Sequence, residues 1–376
     1  MPACTSTAGA GGSTARSPTT RNDRAPTARV MCLIRAGQQP KGTSNREGRP
    51  MQIKRATAAI AALITSTAIA TTAQAQSVEA TFGILFGPTT PFVACGGLPM
   101  AEELADAGFD ISVVHSAQLG SENQMAEQVS FGELEMAVIT SSIFAAWSEN
   151  ISVLETYYLY DNVDQVMKVY TTPTAQALMD ELLEVANVRV VGSPWLYGVR
   201  NVFGMKEIHG PDDFSGMRLR VPETPVSIEG AKSLGAQPTP VAYSELYLAL
   251  QQGIVDGAEA PIPIIGLESF DEPAEYVAMT RHLITAAPFV VNEDFWQSLS
   301  AEEQEALTTA ATSASERVRE CVDTAEAETL AKWKENGEVT VIEDLDVEAI
   351  KAKAREHFSS GLPYSEAYVK LLEDLK

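Results

Sequence analysis

From residue 80 onward, apolar positions along the chain follow two rhythms that take turns. Short runs of β-branched and aromatic residues read as buried strands, and stretches with apolar residues three and four apart read as helices. Ala80–Phe86 and Ile111–Val114 are strands of the first kind, and an apolar-periodic helix between them ends at Ala107-Gly108. Ser121 opens a helix that Gly132 stops, a cap and a terminator at the right distance. Met136–Ile139 is a short buried strand, and helices fill about 163–185 with Pro173 as a restart point, since proline suits a first helical turn. Strands follow at Val188–Gly192, Val199–Gly204 and Met217–Val221, then a helix from Pro225 to Leu234. Ser244 is expected to cap Glu245–Gln252, with Gly253 ending that helix and Ile254-Val255 beginning another strand. Such alternation predicts mostly parallel sheets with helices on both faces, an α/β fold.

The C-terminal third changes rhythm. Ser300-Ala-Glu-Glu303 has the form of a capping box, and helical signals persist to Asn336-Gly337 without a proline. A helix of about 36 residues would run roughly 54 Å, longer than one small domain. It is expected to lie across two lobes as a spine, with an inner stripe at Ala310, Ala314, Val318, Cys321 and Ala325. Cys321 is thereby expected to be buried.

The N-terminal part is different material. Residues 1–50 are rich in Ala, Thr, Gly, Arg and Pro and show no apolar period, so they cannot offset their chain entropy by burial. They read as a disordered or misassigned upstream extension. Lys54 and Arg55 then precede an apolar run to Ala70, and Ala73-Gln74-Ala75 closes it. This is the layout of a secretory signal peptide over 51–75, and its apolar part is too short for a spanning helix. The expected location is the periplasm.

Setting residues 1–75 aside changes the charge. They hold ten Lys/Arg and two Asp/Glu out of 27 and 50, which leaves 17 basic and 48 acidic residues and a net of −31. A body this acidic argues against nucleic-acid or anionic-membrane partners. An anionic ligand would need local positive charge. About 300 residues suggest two domains. Cys95 and Cys321 remain of the four cysteines, and an oxidising compartment permits one bridge or leaves two buried thiols.

Catalytic patterns are missing: there is no G-x-S-x-G, H-E-x-x-H, P-loop or G-x-G-x-x-G after a strand. His115, His209, His282 and His357 have no ligand-like spacing. No enzyme activity, cofactor or metal is expected.

The informative block runs from Gly198 to Pro261. Arg200 and Arg220 both sit on expected strands, and a guanidinium can hold a carboxylate as a two-toothed fork. A strand arginine can equally be a solvated edge or an ion-pair partner. Arg218 and Arg220 would share a face, so periodicity alone does not choose between them. The block carries Gly198-Val-Arg200, Leu219-Arg220-Val-Pro222, Gly235-Ala-Gln-Pro-Thr-Pro240, Tyr243-Ser-Glu-Leu-Tyr-Leu-Ala-Leu-Gln251 and Val255-Asp-Gly-Ala-Glu259, with Ser116-Ala-Gln-Leu-Gly120 upstream. Together these resemble the signature of TRAP transporter substrate-binding proteins of the C4-dicarboxylate and sialic-acid-binding type, over nearly all of the chain after residue 75.

The resemblance implies a two-lobed periplasmic binding protein fold with the long C-terminal helix spanning both lobes. Lobe I would comprise 76–197 plus 286–325, and lobe II 198–285 plus 326–376. It implies an extracytoplasmic solute-binding subunit, expected as a monomer, that captures a small organic acid and delivers it to TRAP membrane subunits. A sensor-coupled or other periplasmic binding protein, or a periplasmic hydrolase, is the alternative. By position, Arg220 matches the arginine that pairs with the ligand carboxylate, Arg200 a second pocket arginine, Tyr243 an aromatic on the ligand and Glu122 an acidic pocket position. Glu259 belongs to the same motif, and Trp195, Tyr197 and Trp147 are aromatics that could line a less polar pocket. The chain departs from the family at Ala260, where relatives often carry Asn. It departs again at Ile139–Ile143, where the sialic-acid binders carry a charged pair and this chain has apolar or small residues. Both departures argue against sialic acid.

Overall fold

A computed structural model describes residues 77–376. The expected upstream extension (1–50) and leader (51–75) lie outside the described residues. Among the described residues no helix is long and apolar enough to cross a membrane.

The strands in chain order are β1 (Val78–Gly83), β2 (Phe109–Val114), β3 (Met136–Val138), β4 (Val188–Val190), β5 (Trp195–Gly204) and β6 (Arg218–Val221). They continue with β7 (Gln237–Pro240), β8 (Gly257–Pro261), β9 (Tyr276–Ala287), β10 (Phe289–Asn292) and β11 (Thr340–Ile342). Two sheets form, in the orders β2-β1-β3-β10-β4 and β11-β9-β5-β8-β6-β7. Helices cover both, so the α/β expectation holds. The expectation of mostly parallel pairing holds only narrowly, with five of nine strand pairs parallel. β10 runs antiparallel to β3 and β4, and β5 runs antiparallel to both β8 and β9. β9 and β10 were not visible as strands in the sequence pattern. They are buried on both faces, and strands of that kind lose the alternation that marks a half-buried one.

β9 and β10 are separated only by Pro288, so the chain leaves the second sheet and enters the first within one residue. The return path from β4 to β5 takes the four residues 191–194. The long helix, Ala301–Asn336, is capped as expected: Ser300 accepts from the Glu303 N–H and Glu303 reaches back. Its buried stripe runs Ala310, Ala314, Val318, Val322, Thr329 and Trp333. Cys321 stands one residue off that stripe and is half-buried rather than buried. It is bonded to Cys95, which settles the open question of the two cysteines. The helix meets the first sheet's side through Val318, which packs near Gly96, and through the Ala311 carbonyl, which accepts from the Trp195 indole at 3.2 Å. At its far end the Trp333 indole donates to Asp271 at 2.8 Å, and Thr329 packs on Gly266.

Two local expectations fail beside the site. Ser244 caps nothing: a 3-10 turn, Tyr243–Glu245, leads into the helix Leu246–Gln251 without a side-chain cap. Ile254 is half exposed, and the strand begins only at Gly257.

Candidate functional site

A cleft lies between the two sheets, with about 900 Å³ between its walls, the open mouth included. β5 brings Arg200 to it. Arg200 pairs across the ladder with Pro261, and Val202 with Glu259, so Arg200 and Glu259 are diagonal neighbours on one face. The guanidinium forks onto that carboxylate, Nε to Oε2 and Nη2 to Oε1 at 2.7 Å, and Nη2 also donates to the Glu259 carbonyl at 3.0 Å. Its Cζ lies over the Tyr197 ring, 5.4 Å from the centre. Burial would weaken the Arg200 charge, but Glu259 outweighs this and holds the guanidinium firmly protonated. Burial would likewise raise the Glu259 carboxyl, and the Arg200 charge overrides it and holds it down at about 2.

Beneath this pair lies a feature the sequence reading missed. Between the pairs Arg200↔Leu283 and Val202↔Ala278, β5 advances two residues while β9 advances five. The surplus folds into a bulge with Arg281 at φ 46. The bulge turns His282, fully buried, toward Glu259, its Nε2 3.4 Å from Oε2. The Val202 N–H donates to the Thr280 hydroxyl at 3.1 Å, so that hydroxyl's own proton is free for His282 Nδ1, 2.8 Å away. Burial lowers the His282 pKa against the pull of Glu259, so the imidazole is neutral.

β6 supplies Arg220 and contrasts two arginines on one strand. Arg218 is exposed and ion-paired with Asp256. Arg220 is 3% exposed and lines the cleft. Its Nε and Nη2 both donate to the Val241 carbonyl, at 2.9 and 2.6 Å, and no carboxylate stands within ion-pair reach among the described residues. Burial, only partly offset by Glu259, lowers its pKa to about 10. It is a buried cation without a counter-ion of its own.

Glu122 and Tyr243 also line the cleft. Glu122 follows the Ser121 cap and accepts from the Thr140 N–H at 2.6 Å and hydroxyl at 3.0 Å. Burial pushes its carboxyl up to about 7. Tyr243 meets Phe86 and Phe270 edge-on, and its hydroxyl is buried without a partner among the described residues. Tyr197 lines the cleft and Trp147 does not. Trp195 does not either, a correction to the sequence reading: it is fully buried, stacked on Phe289 with Phe82 at its edge. A large aromatic beside a binding motif signals burial; it does not say on which side of the strand.

Glu155 was not picked from the 48 acidic residues, yet it lines the cleft. It accepts from the Ser142 N–H at 3.1 Å and hydroxyl at 2.6 Å, and burial raises its pKa. The segment 139–143, read as bare, is therefore where two carboxyls are anchored from elsewhere in the chain. No local pattern marks Glu155.

Residues 99–360 match the family described as bacterial extracellular solute-binding protein, family 7. The chain belongs to this family. It is a TRAP-type periplasmic solute-binding protein, and its relatives are non-catalytic binding proteins of transport systems. The sialic acid-binding periplasmic protein SiaP of Vibrio cholerae is 29% identical over 245 residues, covering 65% of this chain and 76% of the relative. A TRAP periplasmic solute-binding protein from Ochrobacterium anthropi, solved with L-fuconate, has TM-score 0.74 and 27% identity over 80% of this chain and all of its own. One from Roseobacter denitrificans, solved with L-galactonate, has TM-score 0.72 and 27% identity over 80% of this chain and 99% of its own. This solute-binding protein thus has the fold expected from its motifs.

Proposed function

We propose that the cleft captures a small organic acid, with Arg220 taking its carboxylate and Arg200, fixed by Glu259, standing beside it as a second wall. The observation that carries this is the uncompensated charge of Arg220. A buried guanidinium that spends two donors on one carbonyl keeps both charge and hydrogen-bonding capacity for an anion. Tyr243 and Tyr197 supply apolar faces for the rest of the molecule. The two lobes, hinged where β9 passes into β10 and β4 into β5, close over the ligand and strip water from the pair. The closed form then docks on TRAP membrane subunits. Export on the 51–75 leader, followed by its removal, places the protein where this happens, and an N-terminal mass of the periplasmic form checks it.

The sugar acids bound by the two structural relatives make a starting set of ligands. Breaking one partner of a buried charge pair costs roughly 2–5 kcal/mol. Arg220→Met is therefore expected to weaken binding by a few tens to a few thousands of fold in calorimetry. Undiminished affinity in that variant sinks the assignment. A thermal-shift screen finds the acid itself, since a hundredfold excess over Kd adds about 2.7 kcal/mol of stability.

A further inference from the structure

The chemistry of the ligand beyond its carboxylate can be read from the opposite wall, given that Arg220 takes that carboxylate as proposed above. The charged residues that line the cleft are Arg200, Arg220, Glu122, Glu155, Glu223 and Glu259. Arg200 is committed to Glu259. That leaves one cation and three carboxyls. The first carboxylate to enter uses the cation.

Glu122 and Glu155 hang on Thr140 and Ser142, two residues apart on one segment. Both of Glu122's hydrogen bonds go to Oε1, so Oε2 has no protein partner among the described residues. Each Glu155 oxygen takes one hydrogen bond and keeps a second lone pair. Thr285 is an independent sign that this cleft is built for a polar guest. It lines the cleft on β9, is 2% exposed, and its hydroxyl has no partner among the described residues. A buried hydroxyl without a partner is costly unless something completes it.

We infer that Glu155, with Glu122, is the specificity determinant of this cleft, and that it selects a polyhydroxylated monocarboxylate over a dicarboxylate. Ligand hydroxyls donate to these acceptors and pair with Thr285. A second ligand carboxylate at the same place would meet two carboxyls and no cation, a like-charge contact in a desolvated site. Glu155 is the sharper of the two because both of its oxygens are fixed by Ser142.

The test compares hexonates with the hexarates of the same carbon configuration, which differ only in a terminal CH₂OH against a carboxylate. Calorimetry at pH 8 on the wild-type protein is expected to show a hexonate bound at least 100-fold more tightly than its hexarate. Glu155→Gln should cut that ratio at least tenfold by admitting the hexarate, and Glu122→Gln should cut it less. Because the readout is a ratio, a general loosening of the fold in either variant cancels. Equal wild-type affinity for the two classes, or a ratio unmoved in both variants, overturns the inference while leaving carboxylate capture intact. If no acid of either class binds, capture by Arg220 fails first, and this inference with it.

Discussion

Arg200 and Arg220 are the same side chain twenty residues apart, and the structure gives them opposite circumstances. Arg200 is satisfied by Glu259; Arg220 is not satisfied by anything charged. Glu259→Gln strands Arg200 in a buried place, and losing one partner of a buried pair costs about 3–5 kcal/mol. The double variant with Arg200→Met is expected to lose less than Glu259→Gln alone, read as a smaller drop in the urea midpoint. Glu122 gives a pH signature. Its folded pKa is about 7 against an ordinary 4.5, because burial disfavours the charge. The folded chain keeps a proton that the unfolded chain has released, so stability falls as pH rises through that window. Glu122→Gln should flatten the fall in Tm between these two values, and an unchanged profile would mean the group is ionised in the fold. Residue-level legibility was uneven for a physical reason. The arginines, Glu259, Glu122 and Tyr243 sit in motifs whose spacing is local. Glu155 reaches the cleft through a partner segment and His282 reaches Glu259 through a bulge, and neither leaves a mark on neighbouring residues.

At the scale of elements, ends were easier to read than partners. Ser121 and Ser300, expected as caps, both accept from a helical N–H, decided by their own three or four following residues, while Ser244 caps nothing. Ser300→Ala is expected to cost about 1 kcal/mol and to leave ligand affinity unchanged, which a denaturant titration beside calorimetry would show. Gly198→Ala should behave differently. Gly198 holds φ at +124°, and an added Cβ would stand 2.8 Å from the Pro261 side chain. The strain is of order 1–3 kcal/mol, and it falls two residues before Arg200. Both stability and affinity should drop; a loss of stability alone would mean that β5 relaxes without moving the arginine. The longest strand, β9, escaped notice because its neighbours on both faces are supplied by distant chain, and no period survives in it.

At the scale of the molecule, the spine helix was legible because its length alone exceeded a single domain, while the two-lobed architecture came from chain size and the family resemblance. Strand direction was not, since a crossing strand looks like any other until its partner is known. The Cys95–Cys321 bridge closes a separation of 226 residues and fastens the spine to the first sheet's side. By chain entropy such a loop is worth up to about 5 kcal/mol, so reduction should lower Tm markedly while preserving ligand binding below the new transition. The strand order of the first sheet has a consequence for how the protein is made. β10, residues 289–292, is inserted between β3 and β4, although those two leave the ribosome and cross the membrane long before it. Until residue 292 arrives, β3 keeps an open edge and β4 has no partner in the sheet. A chain cut off at residue 280 is therefore expected to fold incompletely, and rapid proteolysis of that fragment beside the intact protein would show it.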